Sequence, residues 1–384
     1  MFKYSIQKTL IAVLIFEIFS IKSANSQLKI DFEFRPRFEF RDGYRSIQAN
    51  NSSPSFIISQ RSRLSVFYNT KKLKLKFTPQ DVRVWGDETN SSSTGVYGDA
   101  ASLDLYEAYA NFKLNEIANL VIGRQEFAYD YERLLAKRNW NQNGIAYDAV
   151  LLKSKLKNFN VHLASSWNSL SETTSDNLYF PNRIKSLNFL WINTKFREKF
   201  NISFLHIASG VSKTDSTNKI FFRQTTGVYS DFKNDNIKYR ANFYYQYGKN
   251  NKGTNVNAFL ADAEFSLIFK KSLIGIGGSY LSGNKNINSK TDNLFDVLYG
   301  ARHRYFGHMD YFRNIPSHTN SGGLVDIYGF ISFKFSEKLS IKNTGHYFRL
   351  AEKNQLTLVN KNLGYENEVE FSYKVNNEIK IKTA

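Results

Sequence analysis

The chain has 384 residues, 52 Lys and Arg against 34 Asp and Glu for a net charge of +18, 16% aromatics and no cysteine. The missing thiols exclude disulfides, thiolate metal sites, iron–sulfur clusters and a cysteine nucleophile, and 42% apolar residues exclude a disordered chain. The lack of a second long apolar run excludes a bundle of membrane helices but not a membrane barrel, whose strands are apolar on one face only.

Residues 1–26 read as an export signal. Lys3 and Lys8 precede an apolar run from Thr9 to Ile21, and Ala24-Asn25-Ser26 supplies the small residues of a cleavage site. Removing them takes away Lys3, Lys8, Lys22 and Glu17, so residues 27–384, expected to form one domain, carry 18 − 2 = +16. The destination this implies is the outer membrane of a Gram-negative cell.

The clearest pattern opens that domain. Leu28, Ile30, Phe32, Phe34, Phe38 and Phe40 alternate with Lys29, Asp31, Glu33, Arg35, Arg37, Glu39 and Arg41. Side chains in a strand point to opposite faces in turn, so the segment has one apolar and one charged face. The same period returns at Leu73–Phe77, Tyr106–Leu114, Phe159–Trp167, Ile237–Tyr247, Ala261–Phe269 and Glu366–Lys374. Two strands, 144–156 and 183–195, break register and are expected to carry bulges. No stretch has the period of a long amphipathic helix.

Short polar turns (near 69–72, 115–117, 157–158, 197–198, 233–235, 270–271, 336–338 and 376–377) alternate with longer loops (42–55, 86–101, 128–143, 169–182, 210–218, 249–254, 283–321 and 351–363). Antiparallel transmembrane β-barrels alternate short periplasmic turns with long outer loops in this way. The fold expected is therefore an all-β barrel of 16–18 strands. Sixteen full strands are readable, with the start of another at Glu378–Lys382. Because single-chain bacterial barrels have even strand numbers, 18 are expected, with C-terminal strands missing from the chain.

Charges facing lipid are costly, so the charged face lines the interior. Arg35, Arg37, Arg41, Arg61, Arg63, Arg124 and Arg240 are the expected channel-lining residues, and a confined, guanidinium-rich lumen attracts anions. Inward acids such as Glu33, Glu39, Asp262, Glu264, Glu366 and Glu368 offer the competing reading, ion-pair ladders across strands. The basic residues are spread over many strands, which speaks against nucleic-acid binding.

Several stretches resemble the alginate-export family of outer-membrane channels: Phe38-Glu39-Phe40-Arg41, Ile122-Gly123-Arg124-Gln125-Glu126, Glu132-Arg133-Leu134-Leu135, Asn139-Trp140, and Tyr299 through Phe312. The resemblance implies an eighteen-stranded channel whose interior arginines conduct anionic polysaccharide. The arginines in family-like segments are Arg124, Arg133, Arg302 and Arg304.

The function expected is a porin-like channel for anionic solutes or acidic, alginate-like polysaccharide, with outer-membrane lipid as its surroundings. A non-conducting structural or adhesive barrel and a barrel-embedded hydrolase are the alternatives. Within 283–321, Arg302, His303, Arg304, His308, Asp310 and Arg313 form a possible constriction folded into the lumen. His303, His308 and Asp310 do not have the converging spacing of a zinc site, and no metal or other cofactor is expected. No catalytic residues are assigned, because no Gly-x-Ser-x-Gly elbow occurs.

Overall fold

In the computed structural model, which describes residues 27–47, 52–86, 102–175, 178–181, 183–286, 288–356 and 360–383, period-two alternation becomes strand wherever it occurs. The expected export signal lies outside these residues. The first half supplies β1 (Leu28–Arg41), β2 (Ser55–Asn69), β3 (Leu73–Val84), β4 (Ser102–Lys113), β5 (Ala118–Gln125), β6 (Tyr147–Leu156), β7 (Phe159–Trp167), β8 (Ile184–Phe196) and β9 (Phe200–Ser212). The second half supplies β10 (Ile220–Lys233), β11 (Ile237–Gly248), β12 (Asn255–Val256), β13 (Ala258–Ile268), β14 (Ser272–Leu281), β15 (Thr291–Asp292), β16 (Leu324–Lys334), β17 (Leu339–Arg349), β18 (Asn362–Lys374) and β19 (Lys380–Thr383).

All but β12 and β15 join one 17-stranded sheet. Each strand runs antiparallel to its neighbours in sequence, from the β1–β2 ladder (Leu28 opposite Tyr68) to the β18–β19 ladder (Phe371 opposite Thr383). The fold is an all-β barrel of the outer-membrane type, as expected. Because 17 is odd, β1 and β19 run in the same direction, and among the described residues no ladder joins them. The bulge expected in 183–195 sits between Ile184 and Ser186. The strand in 144–156 instead keeps register with both neighbours, and further irregularities fall at Thr78/Pro79 and Phe348/Arg349.

The barrel is apolar outside. Phe32, Phe34, Phe38 and Phe40 are exposed, while Glu33, Arg35, Arg37, Glu39 and Arg41 between them are half-buried on the inner face. Tyr68, Trp85, Trp167, Tyr245 and Tyr247 stand exposed near strand ends, where amphipathic rings suit a membrane–water boundary.

The hydrophobic core lies inside the barrel. It joins inward residues of the wall (Leu151, Phe189, Leu205, Ile207, Leu260, Leu281) to residues of two connections, 126–146 and 282–323. Leu135 and Phe295, one from each connection, are completely buried. The two connections therefore fold into the lumen and pack on each other and on the wall.

Placing a guanidinium on the outer face should be costly near the middle of a strand. Phe34→Arg is expected to lower unfolding stability in lipid by about 2–4 kcal/mol, against less than about 1 kcal/mol for Phe34→Leu, in urea titrations followed by tryptophan fluorescence.

Candidate functional site

A chain segment inside a barrel brings polar backbone away from water, and those groups need partners. The arginines of β1 and β2 supply them. The Arg35 guanidinium donates to the carbonyls of Asn139 (2.6 Å) and Asn141 (3.0 Å) and to the Gln142 side chain (2.6 Å). Arg37 donates to the Trp140 carbonyl at 3.0 Å. Arg61, fully buried, reaches the Gln142 carbonyl at 3.2 Å and pairs with Glu33. Arg63 reaches the Asn143 carbonyl at 3.2 Å and lies 3.4 Å over the Tyr106 ring. Arg35, Arg37, Arg61 and Arg63 thus lie on the inner face, and their N–H groups hold 139–143 in place.

Of the others, Arg41 is half-buried and pairs with Glu39 at 3.0 Å, an acid it shares with Arg37. Arg240 on β11 is buried against Glu264 (2.9 Å) and the Tyr328 hydroxyl (3.3 Å). Arg124 does not line the lumen. It follows the face of exposed Ile122, opposite buried Gln125 and Val121, and pairs outside with Asp148 at 2.9 Å. The strand's own alternation puts it there.

The second connection meets the acidic side chains of β18. The backbone N–H of His308 donates to Glu368 (2.6 Å) and that of Met309 to Glu366 (2.8 Å). Its Asp310 accepts from the Tyr44 hydroxyl, just beyond β1, at 2.7 Å. Hydrogen bonding from His303 and Tyr44 keeps the Asp310 carboxyl below its ordinary value, although burial alone would raise it. His303 stacks on Trp140 (3.9 Å between centroids) and on His308 (4.6 Å), and its Nδ1 meets Asp310 at 3.0 Å. The Arg302 guanidinium donates to the Arg313 carbonyl at 2.8 Å, and the Arg313 side chain is exposed. Arg302, His303, His308 and Asp310 are therefore tied into the packed interior, while Arg304 and Arg313 are exposed. Among the described residues no group of three or more His, Cys, Asp or Glu is arranged to hold a metal ion. His162 and His206 are engaged with the hydroxyls of Tyr129 (2.9 Å) and Thr226 (2.8 Å).

The two connections are joined to each other. Tyr299 N–H donates to the Leu134 carbonyl (3.1 Å) and Ala301 N–H to the Glu132 carbonyl (2.9 Å). Arg138 spans the join, donating to the carbonyls of Leu298 (3.0 Å), Tyr299 (3.2 Å) and Gly300 (3.0 Å). Burial, with Arg302 nearby, pulls its guanidinium down to about 10, so it stays charged at neutral pH. Gly300 is required at this join, because a Cβ would overlap the Arg133 carbonyl.

Sequence reasoning treated 128–143 as an ordinary outer loop and missed its most unusual feature. Asp130, Tyr131 and Glu132 all have left-handed backbone, with φ of 50°, 57° and 62°. Residues other than glycine in this region cost about 1–3 kcal/mol each and persist only where their surroundings impose them. Here Asp130 accepts from Trp191 Nε1 (2.9 Å) and Ser203 Oγ (2.6 Å). The Tyr131 carbonyl accepts from Tyr305 (2.8 Å) and Arg304 (3.1 Å), and Glu132 pairs with Arg304 at 2.8 Å. Arg133, next in the chain, is buried over the Tyr305 ring at 4.1 Å and lies 3.6 Å from Asp262. The available signal was Leu134-Leu135, a pair of large apolar residues in what otherwise reads as a polar loop.

The family described as Alginate export matches residues 26–368. No curated protein matches the chain. Among solved structures, it is similar to the outer-membrane protein OpdK of Pseudomonas aeruginosa at 11% identity and a TM-score of 0.61, over 92% of this chain and 91% of that one. It is also similar to OccAB1 of Acinetobacter baumannii (14%, 0.59, 91% and 86%). A third is OccK2 (OpdF) of P. aeruginosa, solved in complex with glucuronate (11%, 0.55, 92% and 88%). At these identities the likeness is one of fold.

Two outcomes follow from this geometry. Gly300→Val should force the two connections apart and raise single-channel conductance in planar bilayers. Burial pushes the Asp130 carboxyl up to about 6 from 3.8, against the two hydrogen bonds that pull it down. A group raised in the folded state contributes its stability in full below the unfolded value and loses it as pH rises through the folded one. Asp130→Asn should therefore flatten the pH dependence of protection at the 130–132 turn between about 4 and 6 in hydrogen exchange.

Proposed function

We propose, from the premise that the chain belongs to the alginate export family, that it is an outer-membrane channel preferring small anionic solutes. The observation that carries this reading is the packing of the two in-folded connections. With Leu135 and Phe295 completely buried between them and the wall, the lumen is occluded by protein rather than open as a wide conduit. A narrow passage suits small acids better than a polymer of linked sugars. The charged groups left accessible beside the occlusion include the half-buried Arg37 and Arg41 and the 41% exposed Arg304. Low-dielectric walls strengthen the pull of such groups on anions.

The ion pairs temper this pull. Arg37, Arg41 and Arg304 each have a carboxylate within 3.0 Å, so selectivity rests on the excess of cations, not on their number. The solute, acidic polysaccharide included, is a matter for measurement. The outer membrane is the site of action, reached after removal of residues 1–26.

In a planar bilayer under a salt gradient, the refolded protein is expected to give a reversal potential displaced toward anion permeability. Arg304→Glu combined with Arg41→Glu should move it toward cations. Cation preference in the unaltered protein would overturn the reading, and absence of conductance would favour a structural barrel.

A further inference from the structure

The strands that frame the first connection are short. Apart from β19, the shortest strands of the 17-stranded sheet are β5 and β7, with 8 and 9 residues. At about 3.3 Å per residue and a tilt of about 40°, β5 rises about 20 Å, less than the ~25 Å apolar band of an outer-membrane barrel. Its ladder with β4 covers only Ala108–Lys113 of a strand that begins at Ser102. The wall therefore dips where the first connection leaves it.

The rim of this dip carries charge on its outer face. Arg124, next to last in β5, and Asp148, second in β6, pair there at 2.9 Å, in line with exposed Ile122 and Val150. Charge that faces lipid within the apolar band is costly. Polar pairs continue along the same face. Ser165 Oγ donates to Asn188 Oδ1 at 2.7 Å across β7 and β8, and His206 meets Thr226 at 2.8 Å across β9 and β10. Half-way round the sheet, the outer face of β14 and β16 presents Ile274, Ile276, Ile327 and Ile331 instead.

We propose that the outer face of β5 to β8 is an interface between two copies of this chain. Asp148 is the more exposed member of the pair, 63% against 34% for Arg124. An anionic lipid headgroup would thus meet a carboxylate before it reached the guanidinium, whereas a second copy brings both charges. In a two-fold contact Arg124 meets Asp148 of the partner subunit, and one patch serves both sides. The second wall also fills out the dip, where lipid offers backbone no hydrogen bonds. This contact is independent of whether the lumen conducts.

Because the chain has no cysteine, single introduced cysteines report the contact. In the full chain assembled in outer membranes, Ile122→Cys and Val150→Cys, opposite each other in the β5–β6 ladder, should each oxidise to a dimer that reducing agent dissolves. Ile327→Cys, on the far wall, should stay monomeric. Added to Ile122→Cys, either Arg124→Glu or Asp148→Arg alone should abolish the dimer. Co-expression of the two should restore it, since each copy then supplies the charge the other lacks. A pair that acts only within one copy would leave the mixture as monomeric as either variant, which would overturn the proposal. So would absence of dimer at both Ile122→Cys and Val150→Cys, or equal dimer at Ile327→Cys. Lipopolysaccharide that copurifies with the parent and is lost from Arg124→Glu, without any dimer, would assign the face to lipid instead. Heat-modifiable migration of each variant reports whether it has folded.

Discussion

The interior of this barrel depends on the contact between inward guanidinium groups and the carbonyls of residues 139–143. Backbone placed inside a barrel loses water and has no neighbouring strand to bond to, so each carbonyl needs a donor from the wall. Arg35, Arg37, Arg61 and Arg63 provide donors in a planar fork, a geometry that lysine, with a single nitrogen, cannot match. Once 139–143 is fixed, Trp140 stands where His303 can stack on it, and the second connection is positioned by the first. The acids of β18 complete the arrangement by accepting N–H groups of His308 and Met309. Carbonyls of 139–143 are thus held from β1 and β2, and N–H groups of His308 and Met309 from β18.

This changes the meaning of the net charge. An arginine that donates to carbonyls is still a cation, because a carbonyl does not neutralise it, but its N–H groups are no longer available to a solute. Arg61 and Arg63 are buried in this role. Arg41 and Arg304, less buried, each pair with a carboxylate instead.

The wall was legible in the sequence because membrane strands obey one rule, alternation, and that rule marks each residue's face. The phenylalanines of β1, the loop-length alternation and the last strand beginning near residue 380 were all readable for that reason. Arg124 was misplaced because it lies in a resembling motif and was assigned by residue type; its own strand, with Ile122 beside it, puts it outside. The in-folded connections were only half legible. The cluster from Arg302 to Asp310 is dense in aromatics and charge, which suggested a constriction. The 126–146 segment carries its signal in two leucines and a tryptophan, and its partners lie on strands far away in sequence. Left-handed backbone at three consecutive residues other than glycine leaves no local signature, since tertiary contacts impose it.

The clasp made by Arg138 also orders events in time. Its contacts with Tyr299 and Gly300 span 161 and 162 residues, and eight of the seventeen wall strands lie between the two ends. Contacts of such long range form late, because the intervening chain must first be brought to order. The barrel therefore has to curl before its interior can set, and an open intermediate exposes Leu134, Leu135 and Phe295 to whatever escorts the chain to the membrane. The same residues that seal the finished lumen are, during assembly, the hydrophobic surface most in need of a chaperone.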